Sequence, residues 1–104
     1  MKSKPVEYHP GARLDIIEAF DWYELHEAGL GGRFHSALTE AERFVRGNPQ
    51  LGRLYDFGTR RWSLKVFPYT LIYSDEPETM LIAAVAHYSR SPDYWRFPAC
   101  KRWR

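Results

Sequence analysis

The stretch AVAHYSRSPDYW, residues 84–95, leaves an apolar run and presents His87, Tyr88 and Arg90 in quick succession before Pro92, then resumes with Tyr94 and Trp95. An imidazole, a phenol and a guanidinium at the end of a strand can move a proton and hold an anion. A second group stands upstream in RRWSLK, residues 60–65, where Arg60, Arg61 and Lys65 are interleaved with Trp62 and Leu64. Arg61 and Lys65 are four residues apart, so on a strand they share a face with Cα atoms roughly 13 Å apart. That reach suits two successive phosphates better than one.

The same residues have plainer uses. A solvated polar strand face accounts for Arg61 and Lys65 as well as phosphate binding does. His87 can be a strand-end histidine satisfied by the backbone, and Tyr88, Tyr94 and Trp95 can cover a sheet edge instead of stacking on a base. Both sets of readings stay open at the level of residues.

What positions these groups follows from periodicity. PVEYHP, residues 5–10, places Val6 and Tyr8 two apart between prolines and reads as an edge strand. In GARLDIIEAFDWYELHEAG, residues 11–29, Ala12, Ile16, Ala19 and Tyr23 recur at helical steps with Phe20 beside them. Asp15, Glu18, Asp21 and Glu24 take the opposite, solvated side. A second helix is expected in GLGGRFHSALTEAERFVRGNP, where Leu30, Phe34, Ala37, Leu38, Ala41, Phe44 and Val45 form a stripe ended by Gly47 and Pro49. The short link AGLGG makes the two an antiparallel hairpin.

The hairpin needs a surface to cover, and RRWSLKVFPYTLIYSDEPETMLIAAVAH, residues 60–87, supplies it as a three-stranded antiparallel meander. On its first strand Trp62, Leu64 and Val66 should face the helices, and Arg61, Ser63 and Lys65 should face away. QLGRLYDFGTR, residues 50–60, reads as a loop. The expected class is therefore α+β, with helices packed on one face of a sheet.

Totals agree with a single domain over residues 1–104. The 104 residues are 44% hydrophobic and 16% aromatic, enough apolar surface to offset the entropy of ordering one core. No segment approaches the roughly 20 apolar residues of a membrane helix, so a cytoplasmic protein without a membrane partner is expected. Cys100 is the only cysteine, which excludes an internal disulfide. His9, His26, His35 and His87 lack ligand spacing, so neither metal nor cofactor is expected. Residues 1–59 hold 7 basic and 9 acidic groups, net −2, and residues 60–104 hold 8 basic and 4 acidic groups, net +4. The second half is the one suited to phosphate. Its basic aromatic end, residues 96–104, has no long pattern and is expected either to fray or to dock on a partner.

Taken in order, ARLDIIEAFDWYE, GLGGRF, NPQLG, RRWSLKVFPYTLIY and IAAVAHYSRSPDYW resemble the RelE/ParE toxins of type II toxin–antitoxin modules, from about residue 6 to residue 95. The resemblance implies a small antiparallel sheet with a helical hairpin on one face, and a cognate antitoxin that wraps the toxin in a hetero-oligomer. RelE-like members are implied to enter the ribosome and cut messenger RNA, the neighbouring 2′-hydroxyl attacking the phosphate. Such a reaction needs a base, an acid and cations on the phosphorane. His87, Tyr88 and Arg61 are then the candidates for catalysis, with Arg60, Lys65, Arg90 and Tyr94 on the RNA. Glu42 is the candidate for the carboxylate that some members pair with a terminal His-Tyr.

ParE-like members are implied to inhibit DNA gyrase by binding it, with no catalysis. His87 to Arg90 and the tail, with Arg102, Trp103 and Arg104, then become interface residues. Ribosome-dependent cleavage is the first expectation and gyrase inhibition the alternative; a non-toxic nucleic-acid-binding module is the third.

Overall fold

A computed structural model describes residues 4–88. Strand β1 (Val6–Tyr8) leads into helix α1 (Pro10–His26), and helix α2 (Leu30–Gly47) follows after three residues. The chain then forms β2 (Arg53–Leu54), a single 3-10 turn (Asp56–Gly58), β3 (Arg60–Ser63), β4 (Tyr69–Asp75) and β5 (Met80–His87). The sheet runs β1-β5-β4-β3-β2. β1 pairs parallel to β5 and every other pairing is antiparallel.

The expected α+β arrangement is present: an edge strand, a helical hairpin and a meander, with the hairpin on one face. The segment read as a loop adds a fifth strand, since Arg53 and Leu54 pair with Arg61 and Arg60. Two residues are too few to show a period in sequence.

α1 begins where Pro10 presets φ and brings no amide hydrogen that would need a partner. His9 caps it, its Nδ1 accepting the Gly11 N–H at 2.9 Å. Ala12, Ala19 and Tyr23 of α1 meet Phe34, Leu38, Ala41 and Val45 of α2 over Leu64, Leu71, Tyr73, Met80, Ile82 and Val85. At one end of this core Tyr23, Phe34, Phe67 and Tyr69 pack as edge-on and tilted rings with centroids 5.1 to 6.2 Å apart.

The hairpin is tight because Gly31 lies against α1. A Cβ there would come within 2.8 Å of the Phe20 carbonyl oxygen and of Glu24 Oε1. Glu24 accepts the N–H groups of Gly29 and Gly31, both at 2.9 Å, and so satisfies donors at the start of α2 from the neighbouring helix.

Glu24 does this while remaining exposed, as expected, whereas Asp15 is not the solvated residue expected. Asp15 is 7% exposed, and its Oδ2 accepts the Val85 N–H at 3.1 Å. β1 ends at Tyr8 and the His9 N–H closes on the Ile82 carbonyl, so beside Val85 the edge of β5 has no neighbouring strand among the described residues. A carboxylate from α1 takes a donor there.

Two further expectations fail at the β3–β4 turn. β3 stops at Ser63, so Lys65 lies on a bend and not on a strand. Val66 does not continue the apolar face: it is 96% exposed, at φ 73°. The chain must reverse before Pro68, and the reversal puts a β-branched residue in left-handed backbone.

Candidate functional site

The face of the sheet away from the helices carries the candidate site. Alternation along β3 settles which residues reach it: Trp62 packs toward Phe44 of α2, so Arg61 and Ser63 point the other way. Arg61 pairs with Ile72 and Ser63 with Thr70, which continue the same face on β4, and Ala84 and Ala86 continue it on β5. Ile72 and Ala84 are buried, with Tyr55 and Ala86 packed against them. A hollow of about 710 Å³ lies above, bordered by Arg53, Tyr55, Arg61, Ser63, Thr70 and Tyr88.

Two cations meet there. Arg53 and Arg61 are direct partners across the β2–β3 ladder, both are exposed, and the Arg61 guanidinium sits 4.8 Å from the centre of the Tyr55 ring. Neither forms an ion pair among the described residues.

The other expected site residues are distributed differently. Arg60 pairs with Tyr73, on the helix side, and its Nη1 donates to the Gly52 carbonyl at 2.8 Å. Tyr73 holds the same loop: its hydroxyl donates to the Pro49 carbonyl at 2.7 Å and accepts the Gly52 N–H at 2.9 Å. A Cβ on Gly52 would fall 2.5 Å from that hydroxyl, which explains why NPQLG ends in glycine. Burial pushes the Tyr73 phenol above its ordinary pKa. Arg60 is thus a clamp on residues 50–52, on the helix side of the sheet and apart from Arg61.

His87 is also displaced from the expected group. It pairs with Tyr69, and their rings meet perpendicularly with centroids 5.0 Å apart. Tyr69 belongs to the aromatic cluster under the helices, so the imidazole lies on the helix side. There it borders a second hollow, of about 570 Å³, with Asp15, Glu18, Trp22, Tyr23 and Tyr69. His87 also touches the rim of the first hollow, because it stands where the strand leaves the sheet.

Tyr88 is exposed, and its N–H donates to the Pro68 carbonyl at 2.9 Å. Lys65 is exposed on its bend, apart from the residues bordering the first hollow. Glu42 accepts the Tyr8 hydroxyl and lies 3.8 Å from Arg46, so the expected carboxylate fastens β1 to α2. Burial, then this hydrogen bond, drives the Tyr8 phenol far above its ordinary range. Arg90 and Tyr94 lie outside the described residues, as do residues 96–104.

The structure therefore brings Arg61 and Tyr88 to one hollow, and adds Arg53, Tyr55 and Thr70, which sequence reasoning missed. Arg53 and Tyr55 are two apart in RLY, the only local sign of a strand. Among the described residues no cluster of three or more His, Cys, Asp or Glu is placed to hold a metal, and no helix is long and apolar enough to cross a membrane.

A family model described as the ParE toxin of the type II toxin–antitoxin system, parDE, matches residues 6–92. The fold resembles a solved structure described as "Chromosomal ParDE TA system from P. aeruginosa", with a TM-score of 0.72 and 15% identity. That likeness covers 82% of this chain and 96% of the other. The search of curated proteins finds no match.

Proposed function

Because the chain belongs to the ParE toxin family of type II toxin–antitoxin systems, we propose that it arrests growth by binding DNA gyrase, and that it acts without catalysing a reaction of its own. The family match supports the alternative drawn from the sequence over messenger cleavage. One observation carries the non-catalytic part. The imidazole of His87 and the guanidinium of Arg61 occupy opposite faces of the sheet, so the base and the cation of a phosphoryl-transfer site do not converge on one atom.

The partner that restrains such a toxin is its cognate antitoxin, and two exposed surfaces favour its docking. α1 presents Leu14, Ile17 and Leu25 to solvent, Leu25 being 85% exposed, at spacings that share one helix face. At the other edge of the sheet Leu54 is 73% exposed on β2, a strand with one neighbour among the described residues.

The deciding experiment pairs two assays of the full chain. Inhibition of supercoiling by purified gyrase, with messages left intact in a translating extract, is the expected result. Cleaved messages together with unimpaired supercoiling would overturn the reading.

A further inference from the structure

We propose that the second hollow, bordered by Trp22, Tyr69 and the carboxylates of Asp15 and Glu18, binds an organic cation. The ligand is a guanidinium head on an aliphatic stem, either as a free small molecule or as an arginine side chain. The site uses none of Leu14, Ile17 and Leu25 of α1, and it does not depend on which target the toxin has.

The first ground is the aromatic lining. Trp22 is 54% exposed, yet it is held: its ring meets Tyr23 edge-on with centroids 5.2 Å apart, and His26 stacks on it at 3.8 Å. His26 does not border the hollow, so the indole is braced from outside that space. Tyr69 and His87, fixed edge-on to each other at 5.0 Å, and the buried Tyr23 border it as well. The face of an aromatic ring attracts a cation, and tryptophan does so best.

The second ground is the charge. Asp15 and Glu18 are three apart on α1 and so are neighbours on the helix surface. No Lys or Arg is among the described residues that border the hollow. Asp15 is buried with its Oδ2 on the Val85 N–H, so it acts as a fixed negative charge where screening is weak. Glu18 is exposed, forms no ion pair among the described residues and supplies the acceptor. A guanidinium can lie flat on a ring while its fork of donors meets a carboxylate. An anion would be repelled, and a neutral apolar ligand would leave Glu18 without a counter-charge. A bare metal ion does not fit, since no cluster of three or more His, Cys, Asp or Glu among the described residues is placed to hold one.

The third ground is size. The volume of about 570 Å³ falls within the roughly 300 to 1,000 Å³ typical of sites for small ligands. It leaves room for a stem behind the head group, and Ala19, Pro68 and Val85 give that stem an apolar lining.

The test is an NMR titration of the isotope-labelled full chain, read at the backbone N–H groups of Ala19, Val85 and His87. The probes are butylguanidinium, a capped tripeptide of glycine, arginine and glycine, and butylurea as the neutral isostere. Both cations should bind, and butylurea should bind at least about fivefold more weakly than butylguanidinium. Glu18→Gln and Trp22→Leu should each weaken the cations about fivefold, and Glu40→Gln on α2 should change nothing. The three substituted side chains are exposed, and thermal melts check that the variants fold. Tighter binding of butylguanidinium would point to a free small molecule and tighter binding of the peptide to a side chain; either order supports the site. Equal affinity for butylurea and butylguanidinium, no shift with either cation, or cation affinity unchanged by Glu18→Gln or by Trp22→Leu would each overturn it. The comparison with butylurea needs no variant, and no readout needs gyrase, so failure here is separate from failure of the proposed function.

Discussion

Arg61 and His87 lie on opposite faces of one sheet: Arg61 pairs with Ile72 and covers the Tyr55 ring, whereas His87 pairs with Tyr69 and meets that ring edge-on. Strand-end residues close in a small sheet are thus separated by the parity of their positions. Loss of a general base costs roughly 100-fold or more. His87→Gln should instead leave inhibition of supercoiling within about threefold, far less than that loss. A collapse of inhibition by the purified, folded variant would restore His87 as a functional group.

The helical hairpin offers a paired test of packing. Gly31→Ala forces a methyl to within 2.8 Å of backbone oxygen and should destabilise the fold by about 1–3 kcal/mol. At Gly32 a Cβ meets nothing within 4 Å, so Gly32→Ala should stabilise by up to about 1 kcal/mol through helix propensity. Urea titrations of the two variants should move in opposite directions.

Tyr73 carries both a donor and an acceptor for the loop at residues 49–52. Tyr73→Phe leaves the Gly52 N–H buried without its partner and should cost about 1–3 kcal/mol. The phenols of Tyr73 and Tyr8 both have raised pKa values in the fold. Their contribution is therefore complete below the ordinary tyrosine value of 10.0 and is lost as pH rises above it, because the unfolded chain releases those protons first. Thermal midpoints should fall above that pH, and less steeply in Tyr73→Phe.

Val66 has little packing to lose, at 96% exposure, and sits at φ 73°. Val66→Asn should stabilise by about 1 kcal/mol by relieving left-handed strain. A lowered melting temperature would mean that the valine makes a contact worth more than that strain.

The fold was legible where a period ran long enough. Phe34, Leu38, Ala41 and Val45 declare α2, and the alternation around Trp62 declares the two faces of β3. What stayed hidden was set by contacts between elements. Asp15 has the composition of a solvated helix position, and only the shortness of β1 gives it a backbone N–H to accept. Arg60 and Arg61 are the same residue type side by side, and only the register assigns one to a loop carbonyl and the other to the open hollow. β2 is two residues long, so Arg53 could not be placed opposite Arg61 before the ladder was known.

The parallel pairing of β1 with β5 has a consequence for synthesis. Val6 finds Met80 as its partner, so among the described strands the first to be made, β1, waits for the last, β5, before it can join the sheet. A nascent chain still lacking β5 has a helical hairpin with no central strand beneath it. The sheet can therefore close only after β5 has left the exit tunnel, whatever the hairpin does before then.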